Sequence, residues 1–365
     1  MQRIMTRNRF VAVCAGFMFA LPLTASAGLL DTLSALRTSS GSTSTTTSTS
    51  TSSTTSTSTS GGSNVTYTPS NWSQTLKGDL YLPSNNGQAR PVVLLLHGGA
   101  WQRGDKSSMS GTGQALAQRG YAAFSINYRF APDSTHPAQL QDMQQAIRFL
   151  QQNASKYRLD MNRLATWGYS AGGHLSALLA VQPASDLPPV RVAIAGAPPS
   201  DLTAPEARDA SSVKIFMGGS YAQIPALYAQ ASPRLQVRSG MAPVFLYHGT
   251  ADKTVPIIQS ENFVKTLQAA NVPVQLIRLQ GLDHSQASGA TSQYRSAALA
   301  FLDRYINVAQ DGTATAPLPS VPVATEPVET EEPVTPEDSI STPAPAPTTT
   351  TSGSTLDRLR SLLSR

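Results

Sequence analysis

Cysteine is almost absent: Cys14 is the only one in 365 residues. It lies in an N-terminal stretch that opens with Arg3, Arg7 and Arg9, continues through Phe10 to Leu23, and closes on Ala25-Ser26-Ala27. Basic, then apolar, then small residues in that order read as a cleavable secretory signal over 1–27, cut after Ala27. The apolar run is short for a bilayer span and is interrupted by Pro22. Once the signal is removed the chain has no thiol. That excludes disulfides, Cys-ligated metals and a cysteine nucleophile, and leaves stability to a hydrophobic core. A periplasmic or secreted location is therefore expected.

Charge is also scarce, at 13% of residues, and nowhere forms a basic stripe interleaved with aromatics, so nucleic acid is not an expected partner. The charges that exist are unevenly spread. Residues 64–308 hold 20 Lys/Arg and 13 Asp/Glu, whereas 309–355 hold seven acidic residues and no basic one. The latter stretch reads as an acidic, solvated tail.

Both flanks lack the apolar residues that a core requires. Residues 38–60 are all Ser or Thr except Gly41, so 38–63 is expected to be a disordered linker, and the Pro/Thr/Glu-rich 309–353 a disordered tail. Beyond each lies a short amphipathic segment. Leu30, Leu33 and Leu36 punctuate 28–37, and Leu356, Leu359, Leu362 and Leu363 punctuate 354–365. Isolated helices this short are marginal in water. They are expected either to fray or to dock on a partner, a surface or each other.

What is present is a middle, 64–308, built of alternating strand and helix patterns. "PVVLLLHGG", "YAAFSINYR", "RLATWGY", "VRVAIAGA", "APVFLYHG" and "VQLIRLQG" read as strands. Between them, helical patterns include one running from His136 to Tyr157, with Leu140, Met143, Ile147 and Leu150 at helical spacing. Alternation of this kind predicts an α/β domain with a mostly parallel sheet and helices on both faces. "VTYTPSNWSQTLKGDLYLP" lacks helical spacing and predicts an antiparallel edge hairpin.

Reactive groups in open parallel sheets gather at the carboxyl ends of the strands. Ser170, in "GYSAGG", follows one strand and opens a helix, the setting of a nucleophile held on a sharp turn. Its hydroxyl needs a general base. Of five histidines, His284 in "GLDHS" lies past the last strand and is the expected base. His97 and His248 end their own strands and read as loop-holding residues, His174 as a packing or pocket-wall residue, and His136 as the opening of a helix beside Pro137. The base in turn needs a carboxylate. Asp252 in "HGTADKTVP" is the first choice, Asp201 in "GAPPSDL" the second, and Asp283 reads as a loop residue. "HGGAW" ends the first buried strand, and the amides of Gly99 and Ala100, with that of Ala171, are the expected oxyanion donors. Trp101 and Tyr169 are expected to wall the substrate pocket.

Taken together, "LYLP", "HGGAWQRGDK", "GYSAGGHLSALLA", "HGTADKTVP" and "GLDHS" resemble the α/β-hydrolase superfamily over essentially all of 64–308. More narrowly, they resemble its esterase/lipase group, which includes hormone-sensitive-lipase-like and bifunctional feruloyl/acetyl-xylan esterases. The resemblance implies hydrolysis of small or plant-derived acyl esters through an acyl-serine intermediate, without metal or organic cofactor. It carries the nucleophile onto Ser170, the acid onto Asp252 and the base onto His284. The chain departs from the hormone-sensitive-lipase pattern at Ala100, where a third glycine is usual, and His97 comes only 33 residues after Asn64, too soon for an N-terminal helical cap. The insertion from Pro198 to Ala242 is expected to supply the lid or wall instead. "HGG-x-W" also resembles kynurenine formamidases, and the last third resembles prolyl-oligopeptidase-type peptidases. An amidase is thus one competing reading, and the terminal amphipathic segments suggest another, a non-catalytic envelope or binding protein on a hydrolase fold.

Overall fold

In the computed structural model, residues 61–84 and 87–307 are described. The expected signal, the two amphipathic segments, the acidic tail and the linker up to residue 60 lie outside the described residues. Eight strands form one sheet: β1 (Ser63–Thr66), β2 (Lys77–Tyr81), β3 (Arg90–Leu96), β4 (Ala122–Ile126), β5 (Leu159–Tyr169), β6 (Val190–Gly196), β7 (Val244–Gly249) and β8 (Val274–Leu279). Their order across the sheet is β1-β2-β4-β3-β5-β6-β7-β8. The pairs β1–β2 and β2–β4 are antiparallel, and every pair from β4–β3 to β7–β8 is parallel. This is the expected α/β sheet with its antiparallel edge, except that the linker boundary falls earlier. Ser63 already pairs with Leu80 in β1.

The helices, in chain order, are α1 (Ser110–Gln118), α2 (Ala138–Gln152), α3 (Ala154–Tyr157), α4 (Ala171–Val181), α5 (Pro205–Arg208), α6 (Ser211–Met217), α7 (Pro225–Gln230), α8 (Ile258–Ala269), α9 (His284–Gly289) and α10 (Thr291–Ile306). The single helix expected from His136 to Tyr157 begins at Ala138 and breaks at Asn153. There the side-chain amide donates to the Phe149 carbonyl at 2.8 Å, a local bond that competes with continuation of the helix.

The period of two in the strands divides the core. Val92, Leu94 and Leu96 of β3 join one buried cluster with Met143 and Leu150 of α2, Leu175 and Leu178 of α4, and Phe263 of α8. Val93 and Leu95 join the other with Leu116 of α1 and Phe301 and Leu302 of α10. Helices therefore cover both faces, and each fully buried side chain of this size contributes about 1.5–3 kcal/mol. The segment between β1 and β2 is tied down by polar bonds. The Trp72 indole donates to Asp142 at 2.9 Å, beside a 2.8 Å Arg129–Asp142 ion pair, and the Tyr67 hydroxyl donates to the Asn127 carbonyl at 2.6 Å. The carboxyl ends of β3, β5, β6, β7 and β8 consequently lie along one rim of a stiff sheet.

Candidate active site

On that rim, β5 passes into α4 with no intervening residue except Ser170, whose backbone takes φ +56° and ψ −122°. A left-handed non-glycine residue is strained and needs its surroundings to hold it. The Ser170 N–H donates to the Gly196 carbonyl at 2.8 Å, and its carbonyl accepts the His174 N–H at 2.9 Å. The neighbouring glycines are required by backbone proximity. A Cβ on Gly172 would sit 2.0 Å from the Leu96 carbonyl oxygen, and one on Gly168 would sit 2.2 Å from that of Gly172.

His284 reaches the serine from the first position of α9. Its Nε2 lies 2.9 Å from Ser170 Oγ, and its Nδ1 lies 2.6 Å from Asp252 Oδ2. A carboxylate facing Nδ1 places the proton there, which leaves the Nε2 lone pair to accept from the serine hydroxyl. Asp283 caps α9 in a reciprocal box, accepting the Gln286 N–H at 2.8 Å, so it aims the helix and not the imidazole's proton.

Asp252 follows β7. Its Oδ1 accepts the N–H groups of Thr254 and Val255, each at 2.9 Å. Its Oδ2 meets His284 and also, at 3.2 Å, Nε2 of the fully buried His248. That nitrogen faces a second acceptor, the Val255 carbonyl at 2.8 Å, so it carries the proton, and Nδ1 accepts from Ser260 Oγ at 2.7 Å. Burial pushes the Asp252 carboxyl up. Hydrogen bonds from His248, His284 and the Val255 N–H outweigh burial and hold it well below the usual carboxylate range. Sequence reasoning placed His248 only in its own loop. The signal was its position four residues before Asp252, at the same strand end. Asp201, the second-choice acid, is engaged elsewhere: it accepts from Thr203 and pairs with Arg234 at 2.9 Å.

The "HGGAW" turn carries three successive left-handed residues: Gly99 at φ +122°, Ala100 at +53° and Trp101 at +58°. His97 holds the turn, its Nδ1–H donating to the Gly98 carbonyl at 2.7 Å while its ring stacks on Tyr128. The amides of Ala100 and Ala171 are committed to no hydrogen bond among the described residues, and both residues line a cleft with Ser170. Gly99 does not line it. A Cβ there would lie 1.9 Å from the Arg103 carbonyl oxygen, which makes it the glycine of the turn.

The cleft is walled by Trp101, by Glu206, Ala207, Ala210, Ser212 and Val213 of the insertion, and by Thr254, Val255, Pro256 and Gln259. Trp101 is 3% exposed and stacks on Phe216 with ring centroids 4.3 Å apart. Its indole N–H points at His174 Nδ1 (3.3 Å), and His174 Nε2 donates to the Ala231 carbonyl at 2.7 Å. His136, 4% exposed, packs against Phe216 with ring centroids 5.4 Å apart, and neither of its ring nitrogens has a partner among the described residues. Burial lowers the imidazole pKa to about 4 in His136 and about 3 in His174. Beside the cleft, a wider depression is lined by His284, Lys253, Asp283 and Thr254, the last shared with the cleft.

Tyr169 is a correction: it is not a cleft-lining residue. Strand alternation turns its ring to the opposite face, where the hydroxyl donates to the His284 carbonyl at 2.6 Å and the ring lies 5.1 Å from the imidazole. Among the described residues no group of three or more His, Cys, Asp or Glu is placed to hold a metal ion.

Comparison with known proteins agrees with the fold. The chain is 28% identical over 240 residues to an isoprenylcysteine α-carbonyl methylesterase of Arabidopsis thaliana, covering 57% of this chain and 53% of that protein. It is 31% identical over 211 residues to Esterase LipC of Mycobacterium tuberculosis, covering 53% and 52%. The chain thus spans about half the length of the curated relatives it matches. Among solved structures, a truncated carbohydrate esterase from gut microbiota superposes with a TM-score of 0.60 and 26% identity, over 67% of this chain and 95% of that one. The BD-FAE family model matches residues 78–267, just over half of the sequence. The chain belongs to the BD-FAE family and has the α/β-hydrolase fold of its esterase neighbours.

Proposed function

We propose that this protein is an exported serine carboxylic-ester hydrolase acting on small acyl esters. The observation that carries the reading is the unbroken chain Ser170 Oγ–His284–Asp252, opening onto an apolar cleft beside two uncommitted amides. Ser170 Oγ attacks the ester carbonyl carbon as its proton passes to His284 Nε2. Asp252 stabilises the imidazolium at Nδ1. The carbonyl oxygen becomes an oxyanion facing the Ala100 and Ala171 N–H groups, and donors of this kind contribute about 10²–10³ in turnover each. Collapse breaks the ester C–O bond, and His284 returns its proton to the departing alcohol. Water then repeats the sequence on the acyl-serine, its proton going to Nε2, and releases the carboxylic acid. The esterase names of the relatives in both comparisons favour an ester over an amide.

The test is turnover of p-nitrophenyl acetate, beside the matching p-nitroanilide, by wild type and Ser170→Ala, with labelling by a fluorophosphonate. Ester hydrolysis and labelling that both depend on Ser170 are expected. Hydrolysis that survives in Ser170→Ala, or no turnover at all, would refute the reading. For export, the mature protein is expected to begin at Gly28, which mass spectrometry of the periplasmic or culture fraction would read directly.

A further inference from the structure

The cleft and the depression adjoin at Thr254, and they differ in what lines them. The cleft holds the Ala100 and Ala171 amides, and the depression holds His284. If Ser170 is the nucleophile, the alcohol departs toward the group that protonates it, so the depression takes the alcohol and the cleft takes the acyl chain.

Within the cleft, Glu206 is the one acidic or basic side chain among the described lining residues. Its carboxylate is held by a buried partner. Gln259, 2% exposed, has both ends of its amide fixed: Oε1 accepts the Asp201 N–H at 2.8 Å, and Nε2 donates to the Asp201 carbonyl at 3.2 Å and to Glu206 Oε1 at 2.8 Å. The Asp201 N–H can only donate, so the amide orientation is determined, and the NH₂ group is the end that faces Glu206. Glu206 makes no ion pair among the described residues, unlike its acidic neighbours Asp201 and Asp209, which pair with Arg234 and with Arg208 and Lys214. The protein therefore fixes a carboxylate in the wall of a mostly apolar acyl cleft and leaves its charge uncompensated.

We propose that Glu206 sets the charge preference of the acyl site, favouring acyl chains that carry a cation or other hydrogen-bond donor over those that carry a carboxylate. This rests on Ser170 being the nucleophile of an esterase. A carboxylate fixed in the cleft wall acts on the acyl chain at short range, attracting ammonium and hydroxyl groups and repelling dicarboxylic half-esters. Because Glu206 is itself solvent-exposed, the preference is modest, about fivefold in each direction, and shrinks with added salt.

Two matched pairs of p-nitrophenyl esters test it: 4-(trimethylammonio)butyrate against 5,5-dimethylhexanoate, and hemisuccinate against 4-methylpentanoate. Within each pair the shapes match and only the charge differs. Wild type is expected to prefer the cationic member of the first pair and the neutral member of the second. In Glu206→Gln both kcat/KM ratios move toward one, and in Glu206→Lys they invert. Ratios that are the same in all three proteins overturn the proposal. Calorimetric binding of the corresponding ethyl esters to Ser170→Ala, with and without Glu206→Gln, reads the same preference without turnover. A Glu206-dependent preference in binding, in a protein whose wild type hydrolyses no ester, would refute the esterase reading while upholding a charge-selective acyl-sized site. Equal Kd values with and without Glu206→Gln overturn the present proposal.

Discussion

Acidification tests the packing beneath Trp101. His136 is buried against Phe216 with both ring nitrogens unpartnered, and burial lowers its pKa to about 4. In the unfolded chain the same imidazole titrates near 6.5. Between those values the unfolded state binds a proton that the folded state refuses, so stability present above pH 6.5 is lost as pH falls, and the loss levels off near pH 4. Integrated from pH 7 to 4.5, the loss from this one group is about 2.5 kcal/mol. His174, lowered to about 3, adds a similar amount over the same interval. Urea unfolding followed by tryptophan fluorescence at the two pH values measures the change, and His136→Leu isolates one group. Depressed carboxylates such as Asp105, at about 2, titrate below this window and are common to both proteins. Wild type is expected to lose about 2.5 kcal/mol more than His136→Leu on going to pH 4.5. Equal losses in the two proteins would refute the idea that His136 is held neutral by burial.

Asp252→Asn keeps the shape of the site but removes the charge that fixes the His284 tautomer, so kcat for p-nitrophenyl acetate should fall about 10⁴-fold, and the urea midpoint at pH 7 should fall as well, since the His248 and His284 N–H groups lose their ionised acceptor. Gly172→Ala places a Cβ 2.0 Å from the Leu96 carbonyl and is expected to abolish soluble folded protein, whereas Gly111→Ala, with open space around it in α1, should raise stability by about 0.5–1 kcal/mol. Circular dichroism melts separate the two. Tyr169→Phe removes the 2.6 Å bond to the His284 carbonyl and is expected to lower kcat about fivefold to tenfold with KM unchanged, since it acts on the base and not on the acyl wall.

The strands were legible because both faces of the sheet are covered, so β3 to β7 read as unbroken apolar runs with turn residues at their ends. Placing Ser170, Asp252 and His284 after successive strands was enough to anticipate that they would meet, because parallel strands deliver their carboxyl ends to one rim. Adjacency misled in the case of Tyr169: the residue beside Ser170 in sequence faces the opposite side of the sheet. The left-handed backbone of Gly99, Ala100 and Trp101 is a matter of φ that "HGGAW" does not spell out. Glu206 gave no signal at all. Its importance comes from meeting Gln259, 53 residues away, through the fold of an insertion that has no strong periodicity of its own. His248 was visible as a strand-end histidine, but its second contact, to Asp252, depends on how tightly the loop after β7 turns back.

The Trp101–Phe216 stack joins two parts of the chain. Ser170, Asp252 and His284 are fixed by the sheet rim, where even a methyl group on Gly172 has no room. The cleft wall on α5 and α6 is anchored by Phe216, which contacts Trp101, His136 and His174, by Val213 and Met217 in the core, and by the Gln259–Glu206 bond. The wall is therefore built into the core. Any segment replacing 198–242 would have to supply the buried side chains of Leu202, Val213, Met217 and Tyr228 as well as an aromatic ring to cover Trp101. Without that ring, Trp101 would lose the partner that holds it at φ +58°, and the turn carrying the Ala100 amide would loosen first.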